Sequence, residues 1–252
     1  MGAVIFSDVH ADAAAIGALA SCIRDPTFSS SFGPVDLLVN LGDLLHRGGR
    51  PQETLEKVHT LSQEYRLVSV LGNHDHAFLH GIMVSGSDAA STYRHEQLRD
   101  SPLLSIFNTM PMEWSDRGML FVHGGPLDLG DQTLRLKCWQ RLSHEAGDFF
   151  TGYHYTAEMA FHNLEQRGLT HLCCGHQHEH ICCRKTADGI VRYELDFQPV
   201  TLDSDRKIQL EAARVPLDVP TILRVGGCHG YAPEFAYTDF TTFSFIRFAS
   251  TP

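Results

Sequence analysis

Val68–His76 reads VSVLGNHDH. A short β-rich apolar run, Val68-Ser69-Val70-Leu71, stops at Gly72, and Asn73, His74 and Asp75 follow without a spacer. Branched residues in a run of this length favour a strand, and the glycine closes it with a tight turn. An amide, an imidazole and a carboxylate therefore stand at the carboxyl end of a strand. That is the edge at which open α/β sheets build their sites.

Working outward, four more apolar runs end in the same way. Val4-Ile5-Phe6 leads into Ser7-Asp8-Val9-His10, and Leu37–Leu41 leads into Gly42-Asp43. Met119–Val122 leads into His123-Gly124-Gly125, and Leu169–Cys174 into Gly175-His176-Gln177-His178. Each run delivers a hard-oxygen or imidazole ligand, most with a glycine that lets the backbone approach an ion closely. Any one of these residues alone reads more readily as a strand-end cap. The set, in one chain and in this order, reads as a site.

Asp-x-His, Gly-Asp, Gly-Asn-His-Asp, His-Gly and Gly-His-x-His, spanning Asp8 to His178, resemble the five signature motifs of the calcineurin-like metallophosphoesterases. The resemblance implies a four-layer α/β/β/α sandwich of two mixed sheets, with a dinuclear metal site at strand carboxyl ends. It implies that Asp8, His10, Asp43 and His178 bind a first metal, and that Asp43 (bridging), Asn73, His123 and His176 bind a second. Two divalent transition-metal ions are expected, manganese first, with iron, zinc, nickel or cobalt also suited to mixed N/O ligation. By the same likeness a metal-bridging hydroxide would attack phosphorus and His74 would act as general acid on the leaving oxygen. Asp75 would accept from the other ring nitrogen of His74 and raise its basicity.

Gly42–Gly48, GDLLHRG, resembles the Gly-Asp-x-x-Asp-Arg-Gly segment of the phosphoprotein-phosphatase branch. On that likeness Arg47 contacts a pair of phosphoryl oxygens. His46 stands where that branch has aspartate.

Composition narrows the class. The chain of 252 residues, 43% hydrophobic, is long enough for one large domain, read as residues 1–252. A formal net charge of −10 without any Lys/Arg-rich run argues against holding long nucleic acid. It leaves room for a phosphorylated small molecule, since bound cations would reverse the local field. No apolar run reaches membrane-spanning length, about 18 residues, so no membrane partner is expected. The first strand starts too early for a signal peptide, and Phe6 stands where a myristoylation signal wants Ser or Thr. The seven cysteines include the adjacent pairs Cys173-Cys174 and Cys182-Cys183 but no C-x-x-C. They read as small buried residues rather than a zinc site, in a reducing, cytoplasmic location.

Along the chain, Asp12 caps a helix through Ala13–Ile23, and residues 25–34 read as a loop. Pro51 opens a helix with Leu55, Val58 and Leu61 on one face. Two irregular excursions follow the third and fourth motifs, residues 77–111 and 124–168, as a lid or pocket wall. The first carries a helix near residues 93–98, the second one around residues 156–166. Trp139, Phe149, Phe150, Tyr153 and Tyr155 in the second read as core. Beyond His178, strands are expected near 190–197, 221–225, 235–238 and 242–248, forming a second sheet packed on the first. His46, His76, His80 and His229 read as surface or packed histidines. The amides of Gly226–Gly230 offer a weak anion nest.

The expected activity is hydrolysis of a small phosphodiester, phosphoanhydride or phosphomonoester, with most likeness to the bacterial phosphodiesterase and diadenosine-tetraphosphatase-like branches. The alternative is a serine/threonine or tyrosine protein phosphatase acting on a phosphoprotein, supported by Arg47. A catalytically silent protein-interaction scaffold is the non-enzyme rival, disfavoured because no motif ligand is missing and His74 is present.

Overall fold

Strand β1 (Gly2–Phe6) is buried along its whole length, because both of its faces are covered. Its side chains alternate: Val4 and Phe6 pack outward on Ile16 and Leu19, while Ala3 and Ile5 pack inward against Phe121 and Leu223. The computed structural model describes residues 2–202 and 208–249, and β5, β9 and β14 are buried along their whole length in the same way.

The amino-terminal part is a β-α repeat. After β1 come α1 (Ala13–Ile23), α2 (Pro26–Ser31), β2 (Val35–Asn40), α3 (Pro51–Glu64), β3 (Arg66–Ser69) and α4 (Asn73–His80). Asp12 caps α1 as its sequence suggests, accepting from Ala14 N at 3.0 Å and Ala15 N at 3.1 Å. Leu55, Val58 and Leu61 form the buried face of α3. The expected loop at 25–34 is a correction: Asp25 accepts from Thr27 N at 2.9 Å and Pro26 occupies the first turn, so the segment starts as helix α2.

Next come α5 (Ala89–Glu96), a 3-10 helix Pro102–Thr109, β4 (Glu113–Asp116) and β5 (Met119–Val122). The second excursion holds β6 (Arg141–Leu142), β7 (Gly147–Phe149) and β8 (Gly152–Tyr155), a small separate sheet in the order β6-β8-β7. Tyr155 is core there, but Phe149 and Phe150 are exposed, against expectation, since β7 is the edge strand of this small sheet and Phe150 lies in the turn beyond it. Helix α6 (Ala157–Gln166) leads to β9 (His171–Cys174). The remaining strands are β10 (Ile181–Thr186), β11 (Gly189–Arg192), β12 (Gln198–Leu202), β13 (Ile208–Pro216), β14 (Thr221–Arg224), β15 (Glu234–Thr238) and β16 (Thr242–Phe248).

The carboxyl-terminal strands do not form a second sheet by themselves. They divide between two sheets, β12-β13-β16-β15-β1-β2-β3 and β11-β10-β14-β9-β5-β4. Each is mixed, with a parallel core of β1-β2-β3 in one and β5-β9-β14 in the other. Antiparallel strands extend both, because the short turns of the tail allow hairpins where helical crossovers are absent. The sheets pack on each other through Ile5, Val39, Phe121, Cys173 and Leu223, among others. Helices α1 and α3 cover the first sheet, and α6 covers the second through Phe161 and Leu164. The four layers are thus α/β/β/α, and the cysteine pairs sit in β9 and β10 as packing residues.

Candidate active site

The five motif-bearing strands, β1, β2, β3, β5 and β9, end at one edge of the sandwich. Their loops are zipped together by backbone hydrogen bonds. Asp8 N donates to Gly42 O at 2.9 Å, His10 N to Asp43 O at 2.9 Å, and Ala11 N to Leu44 O at 2.8 Å. Positive φ outside glycine is concentrated here: Asp8, His10, Ala11, Asp43, His46, Arg47, His176 and His178, against only Arg117 and Phe240 elsewhere in the described chain. Each such residue costs backbone energy that the surrounding bonds must hold, the signature of a functional edge. Gly72 and Gly175 are required by close approach. A side chain on Gly72 would collide with the Asp43 carboxylate and amide, and one on Gly175 with Ser7 and Asp8.

All seven expected ligand residues come together. Donor atoms of Asp8, His10 and His178 lie within 4.8 Å of one another, as do those of Asp43, His123 and His176. Asn73 Oδ1 lies 3.0 Å from His123 Nε2, which joins it to the second set. Asp43 also groups with His10 and His74, so it lies between the two sets.

Hydrogen bonds fix the ring tautomers. His10 Nδ1 is 3.2 Å from Leu45 O and His123 Nδ1 is 2.8 Å from Leu41 O. A carbonyl only accepts, so both Nδ1 atoms carry a proton and each Nε2 faces the cluster. Arg47 Nη1 approaches His178 Nε2 at 3.4 Å, and arginine only donates, so that Nε2 also bears a lone pair. His10 Nε2 and His178 Nε2 then face each other lone pair to lone pair at 3.1 Å, with Asp8 Oδ1 3.2 Å from the latter. Asp8 Oδ1, Asp43 Oδ2 and His176 Nε2 are buried without a hydrogen-bond partner. Convergent lone pairs and orphaned buried carboxylate oxygens repel each other unless a cation lies among them. The donor set therefore fits two divalent metal ions.

Charge supports the same reading. Burial pushes His10 down to about 3, so its imidazole is neutral. Burial pulls His123 down as well, but the Asp43 carboxylate 3.3 Å away outweighs it and raises this imidazole to about 9.

His74 lies beside the ligand set, edge-on between His10 (ring centroids 4.8 Å apart) and His46 (5.4 Å). Its backbone N donates to Asp43 Oδ1 at 2.8 Å, and burial lowers its pKa. Asp75 does not serve His74 as expected. Its carboxylate accepts from Asp43 N at 2.8 Å, Leu44 N at 3.0 Å and Leu45 N at 3.1 Å, while His74 Nδ1 has no partner. Consecutive helix residues point about 100° apart, so Asp75 faces the Gly42–Leu45 turn and His74 the cluster. Asp75 is a brace for the Asp43 loop.

Several features near the cluster escape the sequence reading or change their meaning. His229 Nε2 lies 3.1 Å from His178 Nδ1, which must donate to it, so His229 orients His178 in the cluster rather than filling surface. The Gly226–Gly230 amides are not an anion nest. Gly227 N donates to His178 O, Cys228 N to Ser7 O and Gly230 N to Asp12 Oδ2. Arg141, on β6, is the residue missed outright. Burial lowers its pKa, Arg47 lowers it further, and Asp43 and Asp8 oppose them, which places its guanidinium in the field of the cluster. Gln177, between the two histidines of Gly-His-x-His, holds β6 in place by accepting from Leu142 N at 2.9 Å and donating to Leu142 O at 3.2 Å. No local periodicity marks an arginine in an irregular excursion; only the fold brings it back. His76 and His80 pack on each other, ring centroids 4.4 Å apart, as packed histidines do.

Known proteins share this frame. A metallophosphoesterase from Sphaerobacter thermophilus is 22% identical, with 100% of this chain and 89% of that chain covered at a TM-score of 0.63. A protein serine/threonine phosphatase from Saccharomyces cerevisiae is 12% identical, with 100% and 81% covered at 0.59. A candidate diadenosine tetraphosphatase is 15% identical, with 96% and 92% covered at 0.51. At these identities the likeness is one of fold. No curated protein matches the chain by sequence. The model of the calcineurin-like phosphoesterase family matches residues 1–180, the segment that holds all five motifs. With that match over most of the chain, the protein belongs to the calcineurin-like phosphoesterases and is a metallophosphoesterase, a hydrolase of phosphate esters.

Proposed function

We propose that this protein hydrolyses a small phosphorylated molecule, at a terminal phosphate ester or anhydride, with two divalent transition-metal ions, manganese first. The observation that carries the reading is the pair of converging donor sets, Asp8, His10, Asp43 and His178 beside Asp43, Asn73, His123 and His176, with orphaned buried oxygens between them. When bound, the ions would supply Lewis acidity toward the phosphoryl oxygens and a water of lowered pKa.

The chain's own residues do the rest. His74 holds a proton toward the leaving oxygen, from a ring kept in place by His10 and His46. Arg47 and Arg141 grip the phosphoryl oxygens, and Asp75 keeps the Asp43 loop in its turn. Two guanidiniums at one cluster favour a doubly charged terminal phosphate over a singly charged diester. Next to His10 a cavity of about 450 Å³, lined by Asp12, Arg47, Arg50 and His229 as well, has room for the remainder of a small substrate. A phosphoprotein substrate is the second reading, favoured by the exposure of Arg47 at the rim.

Both large sheets share one interior core, which supports a single domain over residues 1–252. Among the described residues no helix is long and apolar enough to cross a membrane. The seven free cysteines fit a reducing compartment, and we place the protein in the cytoplasm.

The test is hydrolysis of p-nitrophenyl phosphate and bis-p-nitrophenyl phosphate, side by side, by chelator-stripped protein reloaded with Mn²⁺. The monoester is expected to be preferred, chelation to abolish turnover, and His74→Ala to lose about 10²–10⁴-fold in kcat with metal content intact. Diester preference would overturn the terminal-phosphate assignment. No turnover of either by folded, metal-loaded protein would favour the silent scaffold.

A further inference from the structure

Each residue of the loop His46–Gly49 is held by one segment of the first excursion, and Gly48 N donates besides to His10 O at 2.9 Å. His46 N donates to His95 Nε2 at 2.8 Å, and Arg47 N to Ser87 Oγ at 2.9 Å. Ser91 Oγ donates to Gly48 O at 2.8 Å, and Arg94 Nη1 to Gly49 O at 3.1 Å. Four consecutive residues thus each have a hydrogen-bond partner in Ser87–His95, some 40 to 50 positions further along the chain.

The loop needs such support. His46 and Arg47 are adjacent non-glycine residues with φ of 66° and 62°, a conformation that an unsupported chain rarely holds. The support is itself rigid. Asp88 caps α5 by accepting from Ser91 N at 2.7 Å, and Ser91 and His95 are each only 2% exposed. An amide only donates, so His95 Nε2 must carry a lone pair. Its Nδ1 then carries the proton and donates to Ser91 O at 2.7 Å. Burial keeps this imidazole below its ordinary pKa, in the neutral form that can accept. Gly86 completes the contact, since a side chain there would press on Arg47 Nε, Cγ and Cδ at 3.0–3.3 Å.

We propose that Ser87–His95 is a template for the phosphate-gripping loop, with His95 and Ser87 as positioning residues that set the conformation from which Arg47 reaches phosphate. The excursion is then part of the substrate site without touching substrate. This inference rests on the role given to Arg47 above, and the experiment separates the two.

Inorganic phosphate affinity is measured by calorimetry, and KM and kcat on p-nitrophenyl phosphate, for the Mn²⁺-loaded full-length protein and its variants. His95→Leu removes the acceptor and should weaken phosphate binding and raise KM about tenfold, with kcat and bound metal little changed. His95→Gln, which keeps an acceptor at a similar reach, should restore most of the affinity. In an Arg47→Ala background His95→Leu should add nothing, because the residue it positions is gone. If Arg47→Ala weakens phosphate binding but His95→Leu does not, or if their losses simply add, the template is overturned and Arg47 keeps its role. If Arg47→Ala itself leaves phosphate affinity unchanged, both fall. Should His95→Leu fail to fold, Ser87→Ala decides: about threefold weaker phosphate binding supports the template, and unchanged binding overturns it.

Discussion

At His123, on the proposed ligand set, a proton and a divalent cation would compete for one imidazole nitrogen. The Asp43 carboxylate raises this ring to about 9, so in metal-free protein it is protonated below that pH. Ligation needs the neutral ring, so metal binding at pH 7 should release a proton, and affinity should fall about tenfold for each unit of acidification below 9. Calorimetry in two buffers of different ionisation enthalpy reads the proton directly; an affinity flat from pH 6 to 9 would contradict the assignment. That these residues would converge was legible because each motif is local, a strand end followed by a polar donor. Asp75 shows the limit of that legibility. Its neighbour in sequence is His74, but its partners are the amides of Asp43, Leu44 and Leu45, a relation that only the packing of two loops creates.

Among the elements, the β-α repeats were readable from caps and periodicity, as with Asp12 before α1 and the Leu55, Val58, Leu61 face of α3. Strand β13 was not. IQLEAARVP is rich in good helix formers, and it becomes a strand because β12 and β16 pair with it on both sides. The small sheet of the second excursion is likewise set by tertiary bonds, among them the Gln177 clasp on Leu142 and the Tyr155 hydroxyl on Gly124 O. Replacing Gln177 by Leu should free β6 and with it Arg141. The expected result is a KM on p-nitrophenyl phosphate about tenfold higher with two metals still bound, read by steady-state kinetics and metal analysis. An unchanged KM would mean that Arg141 does not depend on this clasp.

Over the whole molecule, burial makes the thiols inert. Cys174 and Cys182 are pushed up to about 12 by burial, and of the seven cysteines only Cys183 is less than fully buried. At pH 8 an aromatic disulfide reagent should label Cys183 alone in the native protein and all seven after unfolding. Fast labelling of more than one would contradict the four-layer packing. That packing divides labour in a way the motifs alone do not reveal. None of the seven donor residues comes from residues 77–111 or 124–168, yet Arg141, Ser87 and His95 do. On the proposed roles, the residues that hold Arg47 and supply Arg141 therefore lie on stretches of chain that lend no donor to the cluster. The cutting centre and the scaffolding of its grip can thus be disturbed one at a time: exchanging either excursion with a relative's should shift KM on p-nitrophenyl phosphate while the metal content stays the same.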